Sequence, residues 1–336
     1  MKIFKLLRNL YKKIIGITAL EQKLDDINHK VQWIYDFQHI FSDVNSALTP
    51  TRGNMYFAQA VLTKVLEIFH IVCNENGLKY WLGAGNLLGI IRHNEKSIPW
   101  DDDIDVYMPR PDYEKLMELL PKLFKNSELR FVFSGWKIKI GKYKDYQFMF
   151  DIFPIDQYYQ KLETEKEKNT LFERMRPIGK YHTREQWFNS FGYESEDDWY
   201  KKQWYKDNTP VYPQKLLEKY NREKQRWNSV IMNNKTPSDN GLLLKGFERS
   251  GWSNKPEYCW DYDCVFPLGK AKYNGIEICI PGNPEIYLLS QYGDYFAFPD
   301  SFDLHGVSQK KLTSSAIASA NELISLDAKE FYNNLK

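Results

Sequence analysis

The sequence predicts a mixed α+β fold, and three observations predict it. Phe57, Val61, Val65, Phe69 and Val72 recur at helical spacing over residues 56–76, with Gly77 as a stop signal. Short aromatic and apolar runs then follow on either side of a glycine turn, at Lys79–Leu82 and Val106–Met108, and these have the length and composition of strands. An apolar fraction of 43% in 336 residues is ample for one large core or two modest ones.

Residues 1–40 form a distinct amphipathic element. Lys2, Lys5, Arg8, Lys12 and Lys13 alternate with apolar residues, and Ile3, Leu7, Leu10, Ile14 and Ile17 make one helical stripe. The three–four spacing continues through Leu20, Leu24, Ile27, Val31 and Ile34, the pattern of a coiled coil that could join copies of the chain as a homo-oligomer. The longest uncharged run, Ile14–Leu20, is too short to span a bilayer. Early charges and the lack of a small-residue cleavage site argue against a secretory signal. A basic amphipathic helix instead suits an anionic membrane surface, here the inner, cytoplasmic face, or a partner, or a docked position on the chain's own domain. Ser42, Asn45, Ser46, Pro50 and Gly53 mark residues 41–55 as a linker.

Between Tyr80 and Met108 two features converge. Gly83-Ala84-Gly85 is a glycine-rich turn leading into the apolar run Asn86–Ile91, and such a turn lets backbone N–H groups approach an anion. Asp101-Asp102-Asp103-Ile104-Asp105 then leads into a strand. Side chains alternate along a strand, so Asp103 and Asp105 share a face about 6.6 Å apart. Two carboxylates at that separation can converge on Mg²⁺, or on Mn²⁺ in its place, since hard cations take oxygen ligands. An acidic cluster can also be a solvated turn. Here it runs into an apolar strand, and its crowded charges repel unless a cation joins them. Phosphate cradle and carboxylate pair together point to metal-assisted phosphoryl transfer, with Arg92 a candidate phosphate contact through its bidentate fork. His93 and His305 read as structural histidines.

Further along, Pro111 starts a helix that Pro121 should end or kink, Leu129–Phe133 and Trp136–Ile140 form two strands, and Tyr146–Phe153 forms another. Residues 160–260 are charge-dense and read as a mostly helical insertion, an acceptor-binding region or lid punctuated by Trp187, Trp199, Trp204, Trp227 and Trp252. Pro213–Ile231 is its clearest helix. Residues 261–336 hold a helix ending at Gly293 and a last helix over Ser314–Tyr332. Four scattered cysteines form neither a zinc pattern nor a disulfide framework, which fits a reducing cytoplasm. A net charge of +2 gives no steer toward nucleic acid.

Gly85-Asn86-Leu87-Leu88-Gly89, Arg92-His93 and Ile98-Pro99-Trp100-Asp101-Asp102-Asp103-Ile104-Asp105 resemble the signature of the LicD family. That family includes bacterial phosphocholine transferases and is related to fukutin-type ribitol-phosphate transferases. The resemblance continues at Asp151–Asp156 and from Pro281 through Tyr292-Gly293-Asp294-Tyr295 to Pro299. The chain departs from the family's pattern at Asn86, usually Thr, and at Tyr273-Asn274-Gly275, usually Phe-Glu-Gly. The resemblance implies a polymerase-beta-like nucleotidyltransferase core, a mixed sheet with helices, over residues 56–159 and completed by 261–336. It also implies a third carboxylate from a neighbouring strand, Asp151, with Asp156 (read as lying in a turn) the second choice. Gly83, Gly85, Asn86 and Arg92 would then face the donor, a CDP-activated alcohol, with a glycan or lipid-linked glycan hydroxyl as acceptor and CMP leaving. Two other readings stay open: a nucleotidyltransferase moving NMP from an NTP to a small molecule, and an inactive membrane-associated scaffold.

Overall fold

Gly16, with a φ of +72°, breaks the amphipathic run into two helices, α1 (Lys2–Ile14) and α2 (Ile17–Ala47). A left-handed φ costs glycine nothing and ends the hydrogen-bonded spiral, so the stripe does not continue along one helix. α2 extends to Ala47, well into the stretch expected to be a linker. The computed structural model describes residues 2–14, 16–47, 51, 53–127, 130–132, 137–139, 149–178, 214–231, 241–247, 258–297 and 312–336. The chain divides into two compact units, residues 1–51 and residues 52–299 with 304–336.

In the first unit the α1 ammonium of Lys12 pairs with Glu21 of α2. Phe4, Leu6, Leu7 and Leu10 of α1 are exposed, as are Leu20, Leu24, Ile27, Val31 and Ile34 of α2.

The second unit is built on α3 (Gly53–Glu75) and a five-stranded mixed sheet. α3 is long and apolar enough to cross a membrane by length and composition. Its Val61, Val65, Phe69 and Val72 are instead buried in the main hydrophobic core, each contributing about 1.5–3 kcal/mol. The next elements are β1 (Trp81–Leu82), α4 (Ala84–Arg92), β2 (Asp103–Pro109) and α5 (Arg110–Leu123). Pro121 lies inside α5 and does not end it; in the last turn the missing N–H costs one hydrogen bond only. β3 (Arg130–Val132) and β4 (Lys137–Lys139) pair as a separate hairpin, and β5 (Met149–Tyr158) returns to the sheet. The sheet order is β1-β2-β5-β6-β7, where β6 is Leu242–Lys245 and β7 is Cys259–Asp261. β2 and β5 run parallel, and the other neighbours are antiparallel.

Among the described residues of 160–260 two helices are joined by sheet: β6 lies within the segment and β7 at its end, and both extend the main sheet. α6 (Glu165–Met175), started by a Thr164–Glu167 capping box, and α7 (Gln214–Ile231) cover that extension. Leu171, Phe172, Met175 and Trp227 form a second core with Tyr158, Leu242 and Leu244. The strand period explains this: Leu242 and Leu244 face α6 and α7, while Leu243 faces the main core with Trp260. Trp187, Trp199, Trp204, Trp252, His305 and Pro299 lie outside the described residues.

The chain closes with α8 (Tyr262–Val265), the hairpin β8 (Gly269–Tyr273) and β9 (Ile276–Ile280), α9 (Pro284–Tyr292), α10 (Ser314–Ser325) and α11 (Ala328–Leu335). The expected single last helix is two, since Asp327 caps a new start by accepting from the Glu330 N–H. Gly293, with a φ of +65°, ends α9. All four cysteines are free thiols.

A buried ion pair locks α5 and α7 to β5. Arg110 donates from Nε to Asp156 Oδ1 at 2.8 Å and from Nη2 to Oδ2 at 2.6 Å, and Trp227 Nε1 donates to Oδ2 at 2.8 Å. Asp156→Ala strands the Arg110 charge. It should destabilise the unit by about 3–5 kcal/mol in urea unfolding, whereas a loss below about 1 kcal/mol would mean that the pair contributes little.

Candidate active site

β1 stays beside β2 only as far as Leu82, opposite Val106. The Gly83 N–H still donates to the Asp105 carbonyl at 3.2 Å, then the chain turns away into α4 through Ala84, whose φ is +47°. Both glycines of the turn are needed for close approach. A Cβ on Gly83 would lie 2.2 Å from a Tyr107 ring carbon, and one on Gly85 would lie 2.8 Å from Asp101 Oδ2. Thus the Gly83 N–H is engaged with the strand, and the Asp101 carboxylate occupies the space over Gly85 at the start of α4.

Asn86, in the first turn of α4, is buried with its carboxamide turned to β2. Its Oδ1 accepts from the Asp105 N–H at 2.6 Å and its Nδ2 donates to the Asp103 carbonyl at 3.0 Å. Nδ2 also reaches Tyr273 Oη at 3.2 Å and, more weakly, Asp101 Oδ2 at 3.4 Å. Asn86 is held inside the fold by these contacts.

On β2, Asp103, Asp105 and Tyr107 share one face, and the parallel register sets Asp105 beside Asp151 and Tyr107 beside Phe153. The opposite face carries Ile104, Val106, Phe150 and Ile152, buried under α3, where Phe150 meets Phe69 at 5.3 Å. The structure therefore brings Asp103, Asp105 and Asp151 to one end of one sheet face. Asp156 lies within β5, not in a turn, on the other face and engaged by Arg110. Among the described residues no three His, Cys, Asp or Glu side chains gather closely enough to enclose a metal ion by themselves. Burial pushes the Asp101 carboxyl up to about 7; a hydrogen bond with Asp103 opposes the shift, and the charges of Asp105 and Asp102 reinforce it.

Arg92 sits at the far end of α4, roughly 12 Å along the helix axis from the glycine turn. Its Nη1 donates to the Tyr295 carbonyl at 2.8 Å, and burial lowers its pKa. His93 packs edge-on against Trp100 and is pushed down by burial and then by Arg92.

Sequence reasoning missed two residues here. Lys245, only 4% exposed, is opposite Ile155 and so on the carboxylate face. Its Nζ lies 4.0 Å from the Tyr258 ring centre, 4.1 Å from Phe153 and 5.0 Å from Tyr107, a cation held by aromatic faces. A lysine closing a Leu-Leu-Leu strand was the available signal. Tyr292, at the end of α9, has its phenol held protonated by enclosure of the hydroxyl and by the charges of Asp105 and Asp101, although the ring remains 43% exposed.

Residues 77–219 match the LicD/FKTN/FKRP nucleotidyltransferase domain. The lipopolysaccharide cholinephosphotransferase LicD of Haemophilus influenzae is 46% identical over 61 residues, 18% of this chain and 23% of that protein. Uncharacterized proteins of Rickettsia prowazekii and Rickettsia typhi are 36% identical over 61 residues (18% of this chain) and 33% identical over 81 residues (24% of it). The chain spans 23% of the length of each of these relatives.

The raised pKa of Asp101 has a consequence for stability. The fold favours the neutral carboxyl, so stability falls as pH rises from the ordinary carboxylate range through about 7. Asp101→Asn removes that loss. In the presence of a chelator it should raise the melting temperature at pH 8, by about 2–4 °C for each 1 kcal/mol relieved, and do much less at pH 5. An equal shift at both pH values would refute the assignment.

Proposed function

We propose that this chain, whose residues 77–219 are a LicD-family segment, is a transferase that moves a phosphoalcohol, phosphocholine in the first instance, from a CDP-activated donor to a hydroxyl of a cell-surface glycan. The observation that carries the reading is the register of β2 on β5, which sets Asp105 beside Asp151 with Asp103 on the same face. A polymerase-beta-like core, with carboxylates on adjacent strands of a mixed sheet, is the fold this reading assumes.

The donor set is all oxygen and suits Mg²⁺ or Mn²⁺. Among the described residues no three His, Cys, Asp or Glu side chains close a cage. Mg²⁺ sites of this kind use one or two carboxylates and leave the remaining positions to substrate phosphates. Asp103, Asp105 and Asp151 would hold the ion, which when bound neutralises charge on the pyrophosphate. An acceptor hydroxyl oxygen attacks the phosphorus bearing the alcohol, a new P–O bond forms, the P–O bond to CMP breaks, and CMP leaves with the electron pair. The hydroxyl proton passes to one of the aspartates, which must lie within hydrogen-bond reach. Lys245 adds positive charge on the same face, and Tyr292 offers a half-exposed ring at its rim.

Asp103→Asn and Asp105→Asn should each cut transfer by about two orders of magnitude or more, roughly 3 kcal/mol of transition-state stabilisation, with folding intact. Asp151→Asn should behave alike. The assay supplies CDP-choline, CDP-ribitol, CDP-glycerol, CTP and ATP with Mg²⁺ and reads released CMP or pyrophosphate. Near-normal turnover in these variants would remove the metal assignment. Turnover of an NTP alone, with pyrophosphate released, would favour the second reading, nucleotidyl transfer, which the description of the matched domain supports.

The N-terminal unit supports a peripheral site on the inner face of the cell membrane. α1 exposes Phe4 at 83% and Leu6 at 70%, interleaved with Lys5, Arg8, Lys12 and Lys13. Each cation near an anionic surface contributes about 1 kcal/mol, and salt screens it. The full-length protein should sediment with phosphatidylserine vesicles at low salt and lose binding at high salt, and a variant with Lys5, Arg8, Lys12 and Lys13 changed to Gln should not bind. Equal sedimentation of the two proteins would refute the membrane reading. The exposed heptad positions of α2, Leu20 to Ile34, support pairing with a second copy.

A further inference from the structure

We infer that Asn86 is a positioning residue whose carboxamide stands in for the missing strand beside Asp103 and Asp105, and that Tyr273 holds that carboxamide in place. The inference rests on Asp103 and Asp105 being the metal-holding pair.

Along a strand, the N–H and C=O of residues 103, 105 and 107 all point to the same edge, here the edge that β1 occupies. β1 supplies partners as far as Tyr107 and Val106, and the Gly83 N–H takes the Asp105 carbonyl. Beyond that point the chain leaves the sheet. The next two groups on this edge, the Asp105 N–H and the Asp103 carbonyl, are met by Oδ1 and Nδ2 of one side chain, at 2.6 and 3.0 Å. The amide thus continues the ladder by one rung in the direction in which the backbone has left it. The two hydrogen bonds bracket the stretch whose side chains are the carboxylates. They therefore set the backbone torsions that fix the separation and direction of Asp103 and Asp105.

A carboxamide can rotate, and a rotation by half a turn would present its donor to the N–H and its acceptor to the carbonyl. The backbone opposes this, because the flip would set donor against donor at the Asp105 N–H and acceptor against acceptor at the Asp103 carbonyl, and Tyr273 Oη accepts from Nδ2 on the other side. Tyr273 Oη lies 3.2 Å from Nδ2 and 2.9 Å from Ser97 Oγ. Ser97 is tied in turn to Asn274, which accepts from the Ser97 N–H at 3.0 Å and donates to Ser97 Oγ at 2.7 Å and to Thr63 Oγ1 at 2.8 Å. The amide is thereby anchored to the β8–β9 hairpin and to α3, in a site where burial pushes the Tyr273 phenol up and keeps it protonated.

The test compares Asn86→Val with Asn86→Thr, two side chains of the same shape. A threonine hydroxyl can accept from the Asp105 N–H and donate to the Asp103 carbonyl, and valine can do neither. The readouts are Mn²⁺ affinity by electron paramagnetic resonance, transfer kinetics with CDP-choline, and the melting temperature. Outer-shell partners of metal ligands carry about 10–100-fold in affinity or activity. Asn86→Val should weaken Mn²⁺ binding by about 10-fold or more and lower kcat more than it raises KM for the donor, and Asn86→Thr should recover most of that loss. Tyr273→Phe, which removes one hydroxyl and leaves the core filled, should weaken Mn²⁺ binding by a smaller factor, about 3-fold, and decides the matter alone should the valine variant not fold. Wild-type Mn²⁺ affinity in Asn86→Val, or in Tyr273→Phe if the former is unfolded, would overturn the inference. Asp105→Asn serves as the control. If it also keeps Mn²⁺ binding, the metal reading itself has failed; if it loses binding while Asn86→Val does not, only the positioning role has failed.

Discussion

The parallel pairing of β2 with β5 governs what the rest of the second unit can be. It matches Asp103–Pro109 to Met149–Ile155 residue by residue, and side chains alternate strictly on both strands. One face is therefore wholly apolar and takes the weight of α3. The other is graded along its length, with Asp103, Asp105 and Asp151 at one end, Tyr107 and Phe153 stacked 5.1 Å apart in the middle, and Ile155 with Lys245 beyond them. A slip of one residue in this register would turn Asp151 into the apolar layer and bring Phe150 beside the carboxylates. Burial on both faces makes such a slip costly, so the packing of the core and the assembly of the site are enforced by the same contacts.

The buried charges of this unit are held in three different ways, and the differences separate structure from chemistry. Asp156 is saturated: two bonds from Arg110 and one from Trp227 use its oxygens, on the face away from the other carboxylates. Lys245 lies against the faces of Phe153 and Tyr258, which stabilise a cation. Asp101 is pushed toward its neutral form by burial and by its acidic neighbours. Only the last of these states would change when a cation arrives, since a nearby positive charge favours the ionised form. The carboxylate end of the sheet thus holds a carboxyl pushed toward its neutral form, and the Asp156 cluster is a fastening.

Much of this was legible beforehand. The spacing of Asp103 and Asp105 sufficed to put them on one face, because the period of a strand is a local property. The helices α3, α7 and α9 were evident from apolar periodicity and from the glycine and proline punctuation. The strand β6 was not, because Leu-Leu-Leu-Lys carries no alternation once both of its faces are covered. Its neighbour β5 ends at Tyr158, far earlier along the chain. Gly83 and Gly85 were recognisable as necessary, and the structure supplies a packing reason: Tyr107 and the Asp101 carboxylate lie where their side chains would be.

The residues by themselves determined the mixed α and β elements, the acidic pair on one strand face, the basic amphipathic start of the chain and its heptad spacing, since each depends on neighbours within a few positions. Tertiary structure alone decided that Asp151 joins the pair while Asp156 does not, that Lys245 shares their face, and that Asn86 serves the strand. The contact between Asn86 and Tyr273 joins positions separated by 187 residues, and the two points at which the sequence departs from the LicD signature it resembles meet there. Periodicity cannot foresee such a pairing. A hydrogen bond between distant side chains exists only once the backbone has brought them within about 3 Å, and that distance is a product of the whole fold.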